Sequence, residues 1–453
     1  MNINAAFQWE CQPQAENWIL TVVQEAIDSN PAIAKLQDDL LTKTSTRLFD
    51  WIDHVVAGFS SETEKQLQAL GFVRQHFDLE SVIYHHPRAQ LPRIVLEKDH
   101  AAFHGLAISV DSVAEFLMMQ GGANLDIEGA IFGNYRSCCI NVAGKTALWA
   151  VERRGTQTLI PTSEGPGVIQ TYHEALEMWL KRFRGDEDEE RAINEAIDLA
   201  EKLVTLVGQH RAAWTVLEGE RRYWEARNTA GQIQKNRQDR LGMGWANHDH
   251  HTFRSSRRYF THLVHLFEVL GFTCRERFYA GEEAGWGAQV MENPICRLVL
   301  FLDVDLAPQE IEGDIAHEPL PDLPQLGTIG LWCALHGDSI LKAGMHHLEA
   351  QFMFEELTHD LAQVGVKMMN PFSSFPYLKQ AFTAGEMWQV TPKRVQGLLK
   401  ENKISEEHAA KFISQGAIGS HLENLQRREG YKGFNQKNVS IIIKKTDPRS
   451  QEK

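Results

Sequence analysis

Cysteine is scarce. Cys11, Cys138, Cys139, Cys274, Cys296 and Cys333 are the six among 453 residues, and none forms a Cys-x-x-Cys pair. That excludes a disulfide-built scaffold and a paired-thiol metal or redox motif. Adjacent Cys138 and Cys139 point to opposite faces of a strand, so reduced packing thiols are expected. No apolar run reaches the roughly 18 residues that would cross a bilayer. Met1 to Asn17 is polar, without a basic start and apolar run, so no secretory leader is expected. Positive charge is in deficit, with 46 basic against 60 acidic residues and a net charge of -14. Such a surface repels phosphate backbones, so neither a nucleic-acid nor a membrane partner is expected, although a local basic pocket for a small anion fits the balance. These absences point to a cytoplasmic protein. Apolar residues make up 43% of the chain, ordinary for a globular protein, and its length allows about two to four domains. What is abundant is histidine, with 20 residues, several of them clustered.

Local patterns divide the chain. Residues 16–48 read as helical, interrupted at Asn30-Pro31. Strand-like runs follow at Ile52 to Ala57, Ser81 to His85 and Arg93 to Leu96, with a helix from Glu62 to Leu70 that Gly71 stops. Further strands are predicted at Leu106 to Val110, Ser137 to Val142 and Thr146 to Val151, around a helix at Val113 to Met119. Residues 168–240 are charged and helical, and Asp186 to Glu190 reads as a solvated loop or helix start. Strand character returns at 245–335. Residues 338–365 read as helical, 392–428 as two or three short helices, and Val439 to Ile443 as a final strand.

The chain also repeats itself. Asp50-Trp51-Ile52-Asp53-His54 leads through Phe59, a helix and Leu70-Gly71-Phe72 to Arg93-Ile94-Val95-Leu96. Gly244-Trp245-Ala246-Asn247-His248 leads through Phe253, a helix and Leu270-Gly271-Phe272 to Arg297-Leu298-Val299-Leu300. Without gaps, Trp51 matches Trp245, His54 matches His248 and Phe59 matches Phe253. Each unit reads strand-helix-strand-strand-strand, which cannot close alone, and two such units side by side make a half-open barrel. The runs at 103–151 and 327–390 look like degraded second partners. The expected fold is therefore α+β, with duplicated βαβββ units, an inserted helical segment and C-terminal helices. Its expected parts are N-terminal helices at 1–49, a first module at 50–160, a helical insertion at 161–240, a second module at 241–391, and C-terminal helices with a final strand at 392–453.

Chemistry concentrates on the opening strands. Period two places His248 and His250 on one face and His251 on the other. Histidines on both opening strands suit a metal site, and a carboxylate would complete a 2-His-1-carboxylate face of the kind that holds non-haem Fe(II). Glu386 is the candidate carboxylate, on a predicted strand before Thr391-Pro392-Lys393-Arg394 opens a helix. Arg254 is the candidate for holding a substrate carboxylate, because a planar guanidinium pairs bidentately. His85-His86 and His346-His347 have no counterpart in the repeat and stand outside this set.

Ile52-Asp53-His54-Val55-Val56 and Asp249-His250-His251-Thr252-Phe253-Arg254 resemble the opening strand of vicinal oxygen chelate proteins, which include glyoxalases and extradiol dioxygenases. The order of features resembles the 2-oxoadipate dioxygenase/decarboxylase (2-hydroxyglutarate synthase) family more closely. Gly385-Glu386 with Thr391-Pro392-Lys393-Arg394 is similar to that family's late segment, and Val73-Arg74-Gln75-His76-Phe77-Asp78-Leu79 to its second strand. The resemblance implies vicinal-oxygen-chelate-type half-barrels and Fe(II) held by His54, by His248 or His250, and by Glu386. It also implies a 2-oxo acid, 2-oxoadipate-like, and O2 as substrates, giving a shortened hydroxy acid and CO2. The family places an arginine four residues after its first ligand. Gly58 stands there after His54, whereas Arg254 stands there after His250. The other readings are an isomerase or lyase using Zn, Ni or Mn, and a non-catalytic metal- or ligand-binding protein.

Overall fold

Asn30 divides the N-terminal helical run. It ends α1 (Pro13–Ser29), and its side chain accepts the Ala32 N–H to cap α2 (Pro31–Thr44). This computed structural model describes residues 9–75, 81–97, 104–161, 163, 165–185, 188–435 and 446–449. The expected strand at Val439 to Ile443 lies outside the described residues, as do the end of the 73–79 segment and Asp186-Glu187.

The first module contains β1 (Ile52–Gly58), α3 (Ser61–Ala69), β2 (Val73–Gln75), β3 (Ser81–His85), β4 (Arg93–Glu97), β5 (His104–Ser109), α4 (Val113–Met119), β6 (Tyr135–Ala143) and β7 (Thr146–Arg153). They build a seven-stranded sheet in the order β2-β3-β4-β1-β5-β7-β6. Helices α5 (Pro166–Leu180), α6 (Glu189–Val207), α7 (Gln209–Glu225) and α8 (Thr229–Asp239) follow.

The second module opens with β8 (His248–Arg254), α9 (Phe260–Val269), β9 (Thr273–Tyr279), β10 (Trp286–Asn293) and β11 (Leu298–Asp305). It continues with α10 (Thr328–His336), β12 (His347–Gln351), α11 (Phe354–Gln363), β13 (Ser373–Phe375), β14 (Leu378–Phe382), β15 (Glu386–Trp388), α12 (Pro392–Lys400), α13 (Glu406–Gln415) and β16 (Ala417–Arg427). The nine-stranded sheet runs β13-β14-β16-β12-β8-β11-β10-β9, and β15 joins it on β16.

The two sheets share one plan. At each centre two opening strands run antiparallel, β1 against β5 and β8 against β12. Each opening strand is also flanked by a parallel neighbour, β4 on β1 and β11 on β8. The repeated Leu-Gly-Phe has a backbone cause, since Gly71 and Gly271 sit at φ 88° and 80°, a left-handed turn that glycine adopts without Cβ strain.

Two expectations change here. Residues 338–365 are not one helix, because β12 interrupts them, and 392–428 ends in β16. Both strands sit at the centre of the second sheet, so that sheet takes a strand from beyond residue 391. Leu, Glu, Gln and Ala favour helix locally, but a parallel ladder between β12 and β16 and burial on both faces override that weak preference.

Each sheet buries one face under helices. Val55, Leu106 and Leu148 pack beneath α1 and α2 with Ile19, Ile33 and Leu36. Phe253, Leu300, Leu348 and Leu422 pack beneath the inserted helices with Trp179, Leu203, Val216 and Trp224. Each such side chain withdrawn from water contributes about 1.5–3 kcal/mol. The alternate residues, His54 in one sheet and His250, Thr252 and Arg254 in the other, are left to the opposite face.

Candidate metal centre

Strand register brings three ligating side chains into one row. His250 on β8 lies opposite Glu349 on β12, and Glu349 lies level with Glu423 on β16. All three are buried, and their ligand atoms lie within 4.8 Å of one another. His250 Nε2 is 2.8 Å from Glu349 Oε1. His347, two residues before Glu349 and so on the same face, places Nε2 2.8 Å from the same oxygen and 3.3 Å from Glu423 Oε2. Gln380 donates to Glu423 Oε1 at 3.0 Å. Glu349 Oε2 is buried and has no hydrogen-bond partner.

The imidazole of His250 is held from behind. Its Nδ1 lies 2.9 Å from Asp249 Oδ1. Arg427 clamps Asp249 bidentately, Nε to Oδ2 at 2.8 Å and Nη2 to Oδ1 at 3.0 Å. A carboxylate behind an imidazole fixes its orientation and leaves Nε2 for a metal. The row opens on a cavity of about 60 Å³ walled by Phe278, Trp286, Phe301, Phe382 and Phe434 and reached by Arg254 and Asp303.

Electrostatics explain the geometry without a cation. Burial raises the Glu423 carboxyl, and the neighbouring Glu349 charge pushes it further, well above the usual range. Burial would raise Glu349 too, but His250 and His347 draw it down to about 2. Burial would lower His250, yet Glu349 and Asp249 hold its imidazolium up to about 10. One carboxyl is thus neutral and its neighbour ionised, the usual outcome for two carboxyls in one dry pocket. A divalent ion would let both ionise. Two imidazoles, two carboxylates and one orphaned carboxylate oxygen fit a divalent metal. A second cluster, Glu268, Cys274 and His317, is half open to solvent, and its imidazole is engaged by Glu268 and Asp314.

Arg254 lies four residues beyond His250 on β8, on the same face, and lines the same cavity. Its guanidinium is fully buried, with Nε and Nη1 lacking hydrogen-bond partners and Asp303 Oδ2 3.7 Å away. Burial raises the Asp303 carboxyl to about 8, against the pull of Arg254, so near neutrality the guanidinium faces a mostly uncharged acid.

The expected triad of His54, His248 or His250, and Glu386 is not assembled; of its members only His250 joins the row. A bulge in β8 is the reason for His248, since one step on β12, Glu349 to Ala350, spans two on β8. His248 turns away from His250, bonds Trp245 O through Nδ1 at 2.9 Å and packs on His251 at 5.2 Å. Glu386 accepts from Thr229 N at 2.9 Å and from Thr229 Oγ1 at 3.0 Å, and so caps the N-terminus of α8. Lys393 and Arg394 open α12, where Arg394 pairs with Glu189.

His54 sits in the first sheet, and its surroundings explain its isolation. Its Nδ1 lies 2.7 Å from Asp53, which Arg153 clamps at 2.7 and 2.9 Å. That copies Asp249, His250 and Arg427, so the structural partner of His54 is His250, two residues beyond the gapless match. The row in the first sheet then runs His54, Ala107, Trp149. The imidazole and its support are present, but alanine and tryptophan stand where Glu349 and Glu423 stand in the second sheet.

Glu349, Glu423 and His347 escaped sequence reasoning, though a signal existed. His347-Leu348-Glu349 and His421-Leu422-Glu423 are the same tripeptide, and they pair in register across β12 and β16. His347, Glu349 and Gln351 also alternate with Leu348, Ala350 and Phe352, a strand pattern.

No protein-family model matches the chain, and no curated protein matches it. Among solved structures, a variant of 4-hydroxymandelate synthase from Streptomyces coelicolor aligns with TM-score 0.29 and 12% identity over 88% of this chain and 98% of that one. Methylmalonyl-CoA epimerase from Mycobacterium tuberculosis aligns with TM-score 0.23 and 11% identity over 40% of this chain and 89% of that one. A xylose isomerase-like TIM barrel/4-hydroxyphenylpyruvate dioxygenase fusion protein aligns with TM-score 0.25 and 12% identity over 90% of this chain and 54% of that one. All three likenesses are distant. No described helix is long and apolar enough to cross a membrane.

Proposed function

We propose that the chain is a non-haem Fe(II)-dependent dioxygenase and decarboxylase of a 2-oxo acid. The carrying observation is the buried row of His250, Glu349 and Glu423 beside the guanidinium of Arg254, whose Nε and Nη1 lack hydrogen-bond partners and whose counter-charge is Asp303 at 3.7 Å. His250, Glu349 and Glu423 would hold the ion, with His347 beside them. Bound there, the metal supplies Lewis acidity and a site for O2 next to the substrate.

The protein's own side chains do the rest. Arg254 binds the substrate carboxylate through its guanidinium and sets the keto carbon toward the row. Asp249 and Arg427 hold His250 in place. Phe278, Phe301, Phe382 and Phe434 line the cavity, so the guanidinium acts in a low-dielectric pocket. The C1–C2 bond of the acid would break, C1 would leave as CO2 with its own two carboxylate oxygens, and both oxygen atoms of O2 would enter the shortened hydroxy acid, one in the carboxylate formed at the former keto carbon and one as the new hydroxyl. 2-Oxoadipate is the first substrate to try, on the resemblance of the sequence.

The test is oxygen uptake by protein loaded anaerobically with Fe(II), using 2-oxoadipate and monocarboxylic 2-oxo acids of similar length. We expect one O2 consumed per CO2 released, and loss of both in His250→Ala. Fe(II)-loaded protein that consumes no oxygen with any of these acids would refute the proposal.

A further inference from the structure

A larger cavity, of about 500 Å³, lies between the two sheets and shares no lining residue with the cavity beside the metal row, although Asp249, which supports His250 from behind, lies on its wall. Its walls include Asp53, Arg93 and Arg153 from the first sheet, and Arg297 from the turn before β11. Charge there is out of balance. Asp53 accepts from Arg153 Nε at 2.7 Å and Nη2 at 2.9 Å, from Arg297 Nη1 at 3.2 Å and from Arg93 Nη2 at 3.4 Å, and His54 Nδ1 lies at 2.7 Å. A carboxylate offers about four acceptor sites, and this one is asked to serve five donors. The matching Asp249 carries one arginine, together with His250 and Gln351. The first module therefore gathers two guanidinium charges more than its twin around the same carboxylate.

Among the described residues Asp53 is the one carboxylate that pairs with these three arginines, although Arg153 Nη1 also donates to Thr156 O and Thr158 O. Arg93 is 4% exposed, its Nη1 donates to Gln157 O at 2.6 Å, and its Nε has no partner. Burial pulls Arg93 down to about 9, and the neighbouring Arg153 charge adds to that fall. Buried cations without counter-charge are costly, and an anion in the adjoining space removes the cost. The other carboxylates on the cavity wall are engaged elsewhere, Asp50 by Arg47, Asp249 by Arg427 and Glu292 by Arg275 and Lys432.

We infer that this cavity binds a small oxyanion of two negative charges, a phosphate or a dicarboxylate, held by Arg93, Arg153 and Arg297 across the two sheets. The planar guanidiniums suit either oxyanion, and the volume admits a metabolite larger than the bare group. The inference does not rest on the dioxygenase reading, since none of the three arginines touches the metal row.

Isothermal titration of the full chain with inorganic phosphate and, separately, with succinate at constant ionic strength tests it. We expect one saturable site per chain for at least one of the two, and the one that saturates names the class. Arg297→Gln should weaken it by about tenfold or more and Arg297→Glu should abolish it. The Arg297 side chain is 39% exposed, and circular dichroism of both variants checks that they keep the fold. Arg254→Gln should leave the binding unchanged, which separates this cavity from the metal centre. The inference is overturned if neither anion saturates by about 10 mM, if Arg297→Gln binds as the unaltered chain does, or if Arg254→Gln removes the binding.

Discussion

Glu423 stands level with Glu349 across the parallel pair of β12 and β16, so two buried carboxyls face one cavity. Such a pair is unfavourable without a cation and favourable with one. Glu423→Gln keeps the acceptor for Gln380 and removes the cost of holding a buried carboxyl protonated beside the Glu349 charge. Metal affinity should fall by about 100-fold or more, while the chelator-treated protein should gain about 1 kcal/mol or more in urea denaturation. A metal-free variant less stable than the metal-free parent would contradict the arrangement.

Arg427 acts on the metal only through Asp249 and His250. Arg427→Gln leaves the Asp249 charge buried and half-paired, which costs about 3–5 kcal/mol of stability. Metal affinity should drop about 10–100-fold by chelator competition, because the imidazole loses its orientation. Unaltered metal affinity would show that His250 needs no support.

His54 and Glu386 provide the contrast. His54→Ala should leave metal content unchanged by elemental analysis, because Ala107 and Trp149 are its row neighbours. Glu386→Gln should also keep the metal and lose about 1 kcal/mol through the weakened cap on α8. His250→Ala should lose it. Metal loss in either of the first two, with retention in the third, would overturn the row of His250, Glu349 and Glu423 as the metal site.

Asp338 gives a pH dependence remote from the metal. Ser255 Oγ, Ser256 N and Ser256 Oγ donate to its Oδ2 at 2.9, 2.9 and 3.0 Å. Burial, with the Glu189 charge behind it, raises the carboxyl to about 6. The folded state then holds the proton that the unfolded chain has released, so this group's contribution to stability falls as pH rises from about 4 to 6. Asp338→Asn should remove a loss of about 3 kcal/mol over that interval. Parallel stability–pH curves for the two proteins would rule this out.

Much of the frame was legible. Caps, the Leu-Gly-Phe turns and period-two runs mark local backbone preferences, and they located α1 to α4, β1 and β3 to β8 within a few residues. The repeat exposed the duplication. The site was legible only in part, at His250 and Arg254, because both lie on a strand whose alternation is visible. Glu349 and Glu423 lie in segments whose composition favours helix, and only their shared His-Leu-Glu hinted otherwise. The bulge that separates His248 from His250 is a matter of pairing with β12, which no local pattern records.

The sequence by itself determined that two related units exist, that their opening strands carry histidine, and that aspartate precedes His54 and His250 in each. Those are properties of neighbours along the chain. The tertiary structure alone decided which histidine meets which carboxylate, because register between strands far apart in sequence sets that distance. It also left His54 with Ala107 and Trp149 as its row neighbours on the adjoining strands, and His250 with Glu349 and Glu423.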